Sequence, residues 1–345
     1  MTADPQSLRR QLRRTWPHFF ARHGNFTEIQ RLALPPLLAG RSTLMMAATA
    51  AGKTEAAVAP LIERLLNQGF GRPPAPPTLR ILYICPTRAL TNDLYARLSP
   101  PMAALGIALD MKTADAPGLA MGAPPALLIT TPESTDSLLT RAPRLFGNLS
   151  AVVIDEVHLF DGTPRGDHLR CLLERIDQIR DYHAATQLET SIAPLQRLAL
   201  SATVPVPAGG AARFVGAEVD VVIGRAAGRR TLDADTSALP QLEALPAQIA
   251  ARTAGAQGSR KMLLFCNTRN EVEATAAYLR TALPFDAKVL VHYSNLDPTL
   301  RRQVEADFTT AKTAICVCTS TLELGIDIGT VDDVILLGLS GRGDK

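Results

Sequence analysis

The chain has 345 residues, 46% of them hydrophobic and 20% charged, with a formal net charge of +3. That length suggests two domains, and the balance is that of a soluble globular protein able to bury sizeable cores. There is no run of about 18 apolar residues, and the opening MTADPQSLRRQLRRTW lacks the apolar stretch of a secretory signal, so neither a membrane span nor export is expected.

The first local feature is a basic cluster, Arg9, Arg10, Arg13 and Arg14, which reads as a solvated helix face. Gln30 follows in FTEIQ; an amide donates and accepts at once, so it suits an adenine edge, although alone it also fits a surface helix. Short apolar runs then recur at Thr43–Met46, Ile81–Cys85, Ala126–Thr130, Ala151–Ile154, Leu198–Leu200 and Val219–Ile223. They are rich in Val, Ile and Leu and do not alternate, which suits strands of a parallel sheet covered on both faces. Helical patterns such as Glu55–Leu66 and Gly166–Arg180 lie between them, which predicts a doubly wound α/β domain. Residues Gly69–Pro77 read as a stiff exposed loop, and Gly224–Pro246, poor in apolar periodicity, as the connection to a second domain. A second series of strands is expected at Lys261–Phe265, Lys288–Val291, Ala314–Cys318 and Val334–Leu337. The predicted domains are 1–225, a linker at 226–245, and a short second domain at 246–345.

The five cysteines are odd in number and form no C-x-x-C pair. Cys316 and Cys318 fall on one face of a predicted strand. They read as reduced core thiols in a reducing, cytoplasmic compartment, and no zinc site is expected.

Chemistry concentrates after the strands. Ala47–Thr54 (AATAAGKT) sits between a strand and a helix and matches the P-loop pattern. Small residues here, Thr49, Ala50, Ala51 and Gly52, let backbone N–H groups curl round phosphates. Lys53 then reaches the β- and γ-phosphates, and Thr54 is placed to ligate Mg²⁺. Ala50 stands where many P-loops carry Gly, so a positive φ there implies strain. Pro60 removes a hydrogen bond within the predicted helix. Asp155-Glu156-Val157-His158 follows the strand Ala151–Ile154. Adjacent acids at the carboxyl end of a parallel strand are costly unless they serve a cation or a proton transfer. Asp155 is placed to hold Mg²⁺, and Glu156 to orient and deprotonate an attacking water. Ser201 and Thr203 flank Ala202 after another strand; their hydroxyls can bond the acidic motif and couple it to motion, or form a simple turn.

Taken together, these residues resemble the superfamily 2 DExH-box helicases, and within them the large helicase-related (Lhr) branch. The ordered motifs are FTEIQ (Phe26–Gln30), AATAAGKT, PTRAL (Pro86–Leu90), TTPES (Thr130–Ser134), DEVH, SAT (Ser201–Thr203), LLFCNTRNEVE (Leu263–Glu273) and TSTLELGIDIG (Thr319–Gly329). The stretch Val153–His168 is particularly similar to that branch. The resemblance implies two RecA-like lobes of the P-loop NTPase class, the second incomplete, with ATP held between them. It implies ATP and Mg²⁺ as cofactors, with Gln30 on adenine, Gly325 and Asp327 facing ATP from the second lobe, and His158, Ser201 and Thr203 as coupling residues. It places Thr87, Arg88, Thr131, Glu133, Asn267, Thr268 and Thr319 along a nucleic-acid strand, single-stranded or partly duplex and DNA before RNA. It also implies 3′-to-5′ movement, and a family-final motif near Q-R-x-G-R-x-G-R that Gly341-Arg342-Gly343 only echoes. The expected function is therefore an ATP-dependent helicase or translocase. The alternatives are an ATP-gated nucleic-acid-binding module with little hydrolysis, or a subunit of a larger repair or defence complex.

With 5% aromatic residues, extensive base stacking is not expected. Strand binding through hydroxyls and backbone N–H groups predicts indifference to sequence and sensitivity to salt.

Overall fold

The computed structural model describes residues 4–48, 50–69, 78–114, 119, 122–187, 193–202, 208–216, 218–224, 242–254, 260–283, 287–293, 296–319 and 331–337. The chain divides into two units, Met1–Arg230 and Thr231–Lys345. In the first, α1 (Pro5–Gln11), α2 (Trp16–Phe19) and α3 (Glu28–Leu38) lead into β1 (Thr43–Met46) and α4 (Lys53–Asn67). Then come β2 (Ile81–Ile84), α5 (Arg88–Ala104), β3 (Leu109–Lys112), β4 (Leu127–Thr130), α6 (Pro132–Arg141) and β5 (Ala151–Ile154). The unit ends with α7 (Pro164–Thr186), β6 (Gln196–Ser201), α8 (Ala208–Val215) and β7 (Asp220–Ile223).

These strands form one parallel sheet in the order β3-β4-β2-β5-β6-β1-β7. The strands β1, β2, β4 and β5 are buried at every position, as their unalternating apolar sequence requires. One face is sealed by α7, whose Leu169, Leu172, Leu173 and Ile176 recur at helical spacing and pack with Leu82, Ile84, Val152 and Ile154. Because every pairing is parallel, the segments that follow β1, β2, β4, β5 and β6 emerge along one edge of the sheet. That edge is where open α/β sheets place their ligands.

The second unit comprises α9 (Leu245–Ala254), β8 (Lys261–Phe265), α10 (Arg269–Ala282), β9 (Lys288–His292), α11 (Pro298–Thr310), β10 (Ala314–Cys318) and β11 (Asp333–Leu336). Its strands run parallel in the order β11-β8-β10-β9. One face packs Met262, Leu264, Ile315 and Val317 against Val272, Ala276 and Leu279 of α10 and Leu245 and Ile249 of α9. The other face carries Cys316 and Cys318 together, packed with Phe308.

Several expectations are refined. Leu242–Pro246, read as connection, contributes a short 3₁₀ turn and the start of α9, with Leu245 fully buried in the second core. The strand β3, LDMK, was not expected: it is a half-buried edge strand whose polar residues hide it from an apolar-run search. Pro60 lies inside α4 without ending it, buried among apolar neighbours that outweigh one lost hydrogen bond. The arginine cluster is not a single solvated helix face, because α1 stops at Gln11. Arg9 lies over the Trp16 ring and Arg14 donates to the Leu66 carbonyl at 2.7 Å, whereas Arg10 and Arg13 are exposed. The Pro/Gly loop beyond Gly69 lies outside the described residues. No helix among the described residues is long and apolar enough to cross a membrane.

Candidate functional site

The loop after β1 turns tightly into α4, with Ala51 N bonded to the Ala48 carbonyl at 3.2 Å. Ala50 has φ +62° and Gly52 φ +86°. For Gly52 this backbone is natural. For Ala50 it costs about 1–2 kcal/mol, strain of a kind found at functional loops. A Cβ on Gly52 would lie 2.3 Å from Gln30 Nε2 and displace that amide, so the positive φ is what calls for glycine here. The Lys53 ammonium is buried and donates to the Ala47 carbonyl at 2.7 Å and the Ala48 carbonyl at 3.2 Å. Burial pulls its pKa down, against the opposing pull of Glu156 and Asp155.

Gln30 does not stand free at an adenine-sized edge. Its Oε1 accepts from Thr27 N at 2.9 Å, completing a capping box on α3, and its Nε2 donates to the Gly52 carbonyl at 3.2 Å. Thr27 Oγ1 donates to the Ala51 carbonyl at 2.8 Å. The FTEIQ segment thus holds the Ala51–Gly52 turn through two side-chain hydrogen bonds.

At the end of β5, Asp155 is buried, with Oδ1 accepting from Glu156 N and Oδ2 from the Tyr83 hydroxyl, each at 3.0 Å. Desolvation and the neighbouring Glu156 push its pKa up to about 6. Tyr83 is fully buried on β2, and the Thr54 hydroxyl lies near enough to offset part of the rise that burial gives the phenol's pKa. One phenol therefore lies beside both predicted magnesium ligands, a threonine hydroxyl and a carboxylate, which are the hard oxygen donors that ion takes. Sequence reasoning missed Tyr83; its one signal is a lone phenol in an otherwise aliphatic strand.

Glu156 occupies the left-handed region, φ +45° and ψ +50°. This turns its carboxylate toward β6, where Oε2 accepts from Ala202 N at 3.2 Å and lies 3.4 Å from His158 Nδ1. Burial raises the Glu156 pKa. The buried Ser201 hydroxyl is 3.1 Å from the same His158 nitrogen. Burial, then Lys53, lower the His158 pKa, so the ring is neutral at pH 7 and its approach to Glu156 is not an ion pair.

The two other expected segments of this unit are helix starts. Thr87 caps α5 and Thr131 caps α6, their hydroxyls accepting from Leu90 N at 3.3 Å and Ser134 N at 3.4 Å. Arg88 is exposed. Glu133 is engaged by Arg165 rather than left open to a strand, with N–O distances of 2.6 and 3.0 Å. Arg165 also escaped the sequence reading, its partner being 32 residues away. In the second unit, Asn267 and Thr268 are exposed beyond β8, where Thr268 caps α10 and both backbone N–H groups donate to Glu271. Thr319 N donates to the His292 carbonyl at 3.2 Å. Thr49, Thr203, Gly325 and Asp327 lie outside the described residues.

Comparison with known proteins matches residues 27–208 to the DEAD/DEAH box helicase family and residues 241–343 to the helicase conserved C-terminal domain. The chain is 30% identical to the ATP-dependent helicase Lhr-Core of Methanothermobacter thermautotrophicus, over 91% of this chain and 38% of that protein. It is 29% identical to a Lhr helicase/probable uracil glycosylase of Mycolicibacterium smegmatis, over 96% of this chain and 25% of that protein. The chain thus spans well under half the length of these relatives. Among solved structures, it superposes on Mycobacterium smegmatis helicase Lhr bound to ssDNA and AMP-PNP with a TM-score of 0.74 and 29% identity, covering 94% of this chain and 43% of that one. The DEAD-box helicase Mss116 shares the fold with a TM-score of 0.74 at 17% identity, covering 95% of this chain and 67% of that one. The two parallel sheets are those of RecA-like helicase lobes, and the chain, similar to Lhr helicases, belongs to the DEAD/DEAH box helicase family.

Proposed function

We propose that this chain is the ATP-dependent motor of a nucleic-acid helicase, coupling ATP hydrolysis to movement along a strand. The observation that carries the reading is the convergence of Lys53, Thr54, Asp155 and Glu156 on one sheet edge, with Tyr83 bonded to Asp155 and close to Thr54. Lys53 exchanges its two loop carbonyls for the β- and γ-phosphates of ATP. Thr54 and Asp155 hold Mg²⁺, which neutralises phosphate charge when bound. Glu156, its basicity raised by burial, takes the proton of the attacking water. The Glu156–His158–Ser201 chain links that base to the end of β6, the segment expected to carry motion.

Strand contact falls to the helix starts at Thr87–Arg88 and Thr131 in the first unit and to Asn267, Thr268 and Thr319 in the second. Helix N-termini offer N–H groups to phosphates and do not read bases. DNA is favoured over RNA because the Lhr relative that superposes over most of this chain is bound to ssDNA. Cys85, Cys266, Cys316 and Cys318 are buried thiols rather than disulfides, which suits the reducing cytoplasm.

The test is strand displacement from a tailed duplex carrying a fluorophore and quencher. DNA unwinding with ATP, none with a non-hydrolysable analogue, and preference for a 3′ tail are expected. Displacement that is independent of ATP hydrolysis would overturn the proposal.

A further inference from the structure

Arg165 joins segments that the sequence keeps far apart. Its Nε and Nη2 donate to the two carboxylate oxygens of Glu133 at 2.6 and 3.0 Å, and its Nη1 donates to the Pro86 carbonyl at 2.6 Å. Pro86 immediately precedes Thr87 and Arg88. Glu133 sits in the first turn of α6, which Thr131 caps. Both are helix starts to which the preceding section gives strand binding, and the inference rests on that reading.

The loop that leads into α7, whose second residue is Arg165, is built to aim it. Phe160 is fully buried, and the Arg165 guanidinium lies over its ring, 5.3 Å from the centroid. The Thr163 hydroxyl donates to the Phe160 carbonyl at 2.8 Å and accepts from Gly166 N at 3.1 Å, capping α7. Pro164 fixes the first helical residue. A Cβ on Gly166 would lie 1.8 Å from the Phe160 carbonyl oxygen, so the helix can close on this loop only with glycine beside Arg165. The same short loop begins with Glu156 and His158.

This construction is more than fold stability calls for. The Arg165 and Glu133 side chains are 37% and 58% exposed, and such ion pairs contribute little to stability. A planar fork gives orientation instead. It also neutralises a carboxylate that would otherwise repel phosphate at the start of α6.

We propose that Arg165 is a positioning residue that fixes the Pro86–Arg88 and Thr131–Glu133 segments in strand-binding geometry and ties that geometry to the loop bearing Glu156. Glu133 is then the tether of this arrangement, not a strand ligand.

The experiment measures anisotropy of a labelled oligodeoxythymidine with AMP-PNP and Mg²⁺ on the full chain. It compares wild type, Arg165→Ala, Arg165→Lys, Glu133→Gln and the double variant Arg165→Ala/Glu133→Gln. Strand affinity should fall about tenfold in Arg165→Ala and about threefold in Arg165→Lys, which keeps charge but not the fork. The double variant should be no weaker than Arg165→Ala within about twofold, since both substitutions break one interaction. In steady-state ATPase, the half-saturating strand concentration should rise about tenfold in Arg165→Ala with a far smaller change in turnover at saturating strand, whereas partial unfolding would lower turnover alone. Wild-type strand binding left unchanged by Arg165→Ala, or additive effects in the double variant, would overturn this proposal while leaving the helicase reading intact. No strand binding by wild type would overturn both.

Discussion

Tyr83 shows how one residue can set the chemistry of several. Its hydroxyl donates to Asp155, and that bond opposes the burial that drives the Asp155 pKa up. Magnesium binding needs the carboxylate, and burial holds the metal-free carboxyl at about 6, so at limiting Mg²⁺ ATP hydrolysis should lose activity as pH falls below that value. Removing the phenol in Tyr83→Phe should move this acid limb to higher pH by roughly half a unit to one unit, read from a pH–rate profile. An unmoved limb would mean that Asp155 does not govern it. The stability sign runs the other way. The folded pKa lies above the unfolded 3.8, so between those values the folded state binds more protons and stability falls as pH rises. Asp155→Asn should therefore stabilise the metal-free protein at pH 7, on the order of 1–3 kcal/mol by urea unfolding, while abolishing hydrolysis. The left-handed Ala50 is a second residue-scale test: Ala50→Gly should relieve about 1 kcal/mol of strain and raise the melting temperature. At this scale the sequence disclosed residues whose type and spacing match a local motif, such as Lys53, Thr54, Asp155 and Glu156. It concealed Tyr83 and Arg165, whose partners lie 72 and 32 residues away and form no local pattern. It did not disclose that Gln30 bonds Thr27 and Gly52 or that Glu133 pairs with Arg165, because a polar side chain named for a ligand can also bond a neighbouring loop.

The helices carrying this machinery are themselves anchored. Glu63, in the middle of α4, is fully buried. Its carboxylate accepts from Thr15 N at 2.8 Å, Thr15 Oγ at 2.9 Å and Arg14 N at 3.1 Å. These donors open α2, so the negative charge also meets the favourable end of a helix. Trp16, Phe20 and Phe26 pack edge-to-face and stacked beside this contact. The N-terminal helices therefore brace the helix whose first two residues are Lys53 and Thr54. Glu63→Ala would leave several buried donors without a partner and should cost about 3 kcal/mol in urea unfolding, with Glu63→Gln milder. A loss below about 0.5 kcal/mol would show that α1 and α2 are dispensable to α4. None of this was legible in the chain, since a lone glutamate in a helix looks solvated until its partners are known. The apolar runs did reveal the buried strands, because burial on both faces leaves room for few polar residues beyond ones such as Thr43 and Thr130. The edge strand β3 escaped for the converse reason.

For the whole molecule, two parallel α/β units were readable from two series of apolar strands separated by helices, and the sheet orders bear this out. What periodicity alone did not give was the order of the strands. That order is what brings PTRAL, TTPES, DEVH and SAT, spread over more than a hundred residues, to one sheet edge. Parallel pairing then explains why every one of these motifs directly follows a strand. The central claim is that this edge hydrolyses ATP in response to a strand. The most direct measurement is steady-state ATP hydrolysis by the 345-residue chain with and without single-stranded DNA, beside Lys53→Ala and Glu156→Gln. The expected result is turnover that rises with DNA and falls by about a hundredfold or more in both variants. Turnover indifferent to DNA, or retained in either variant, would contradict it.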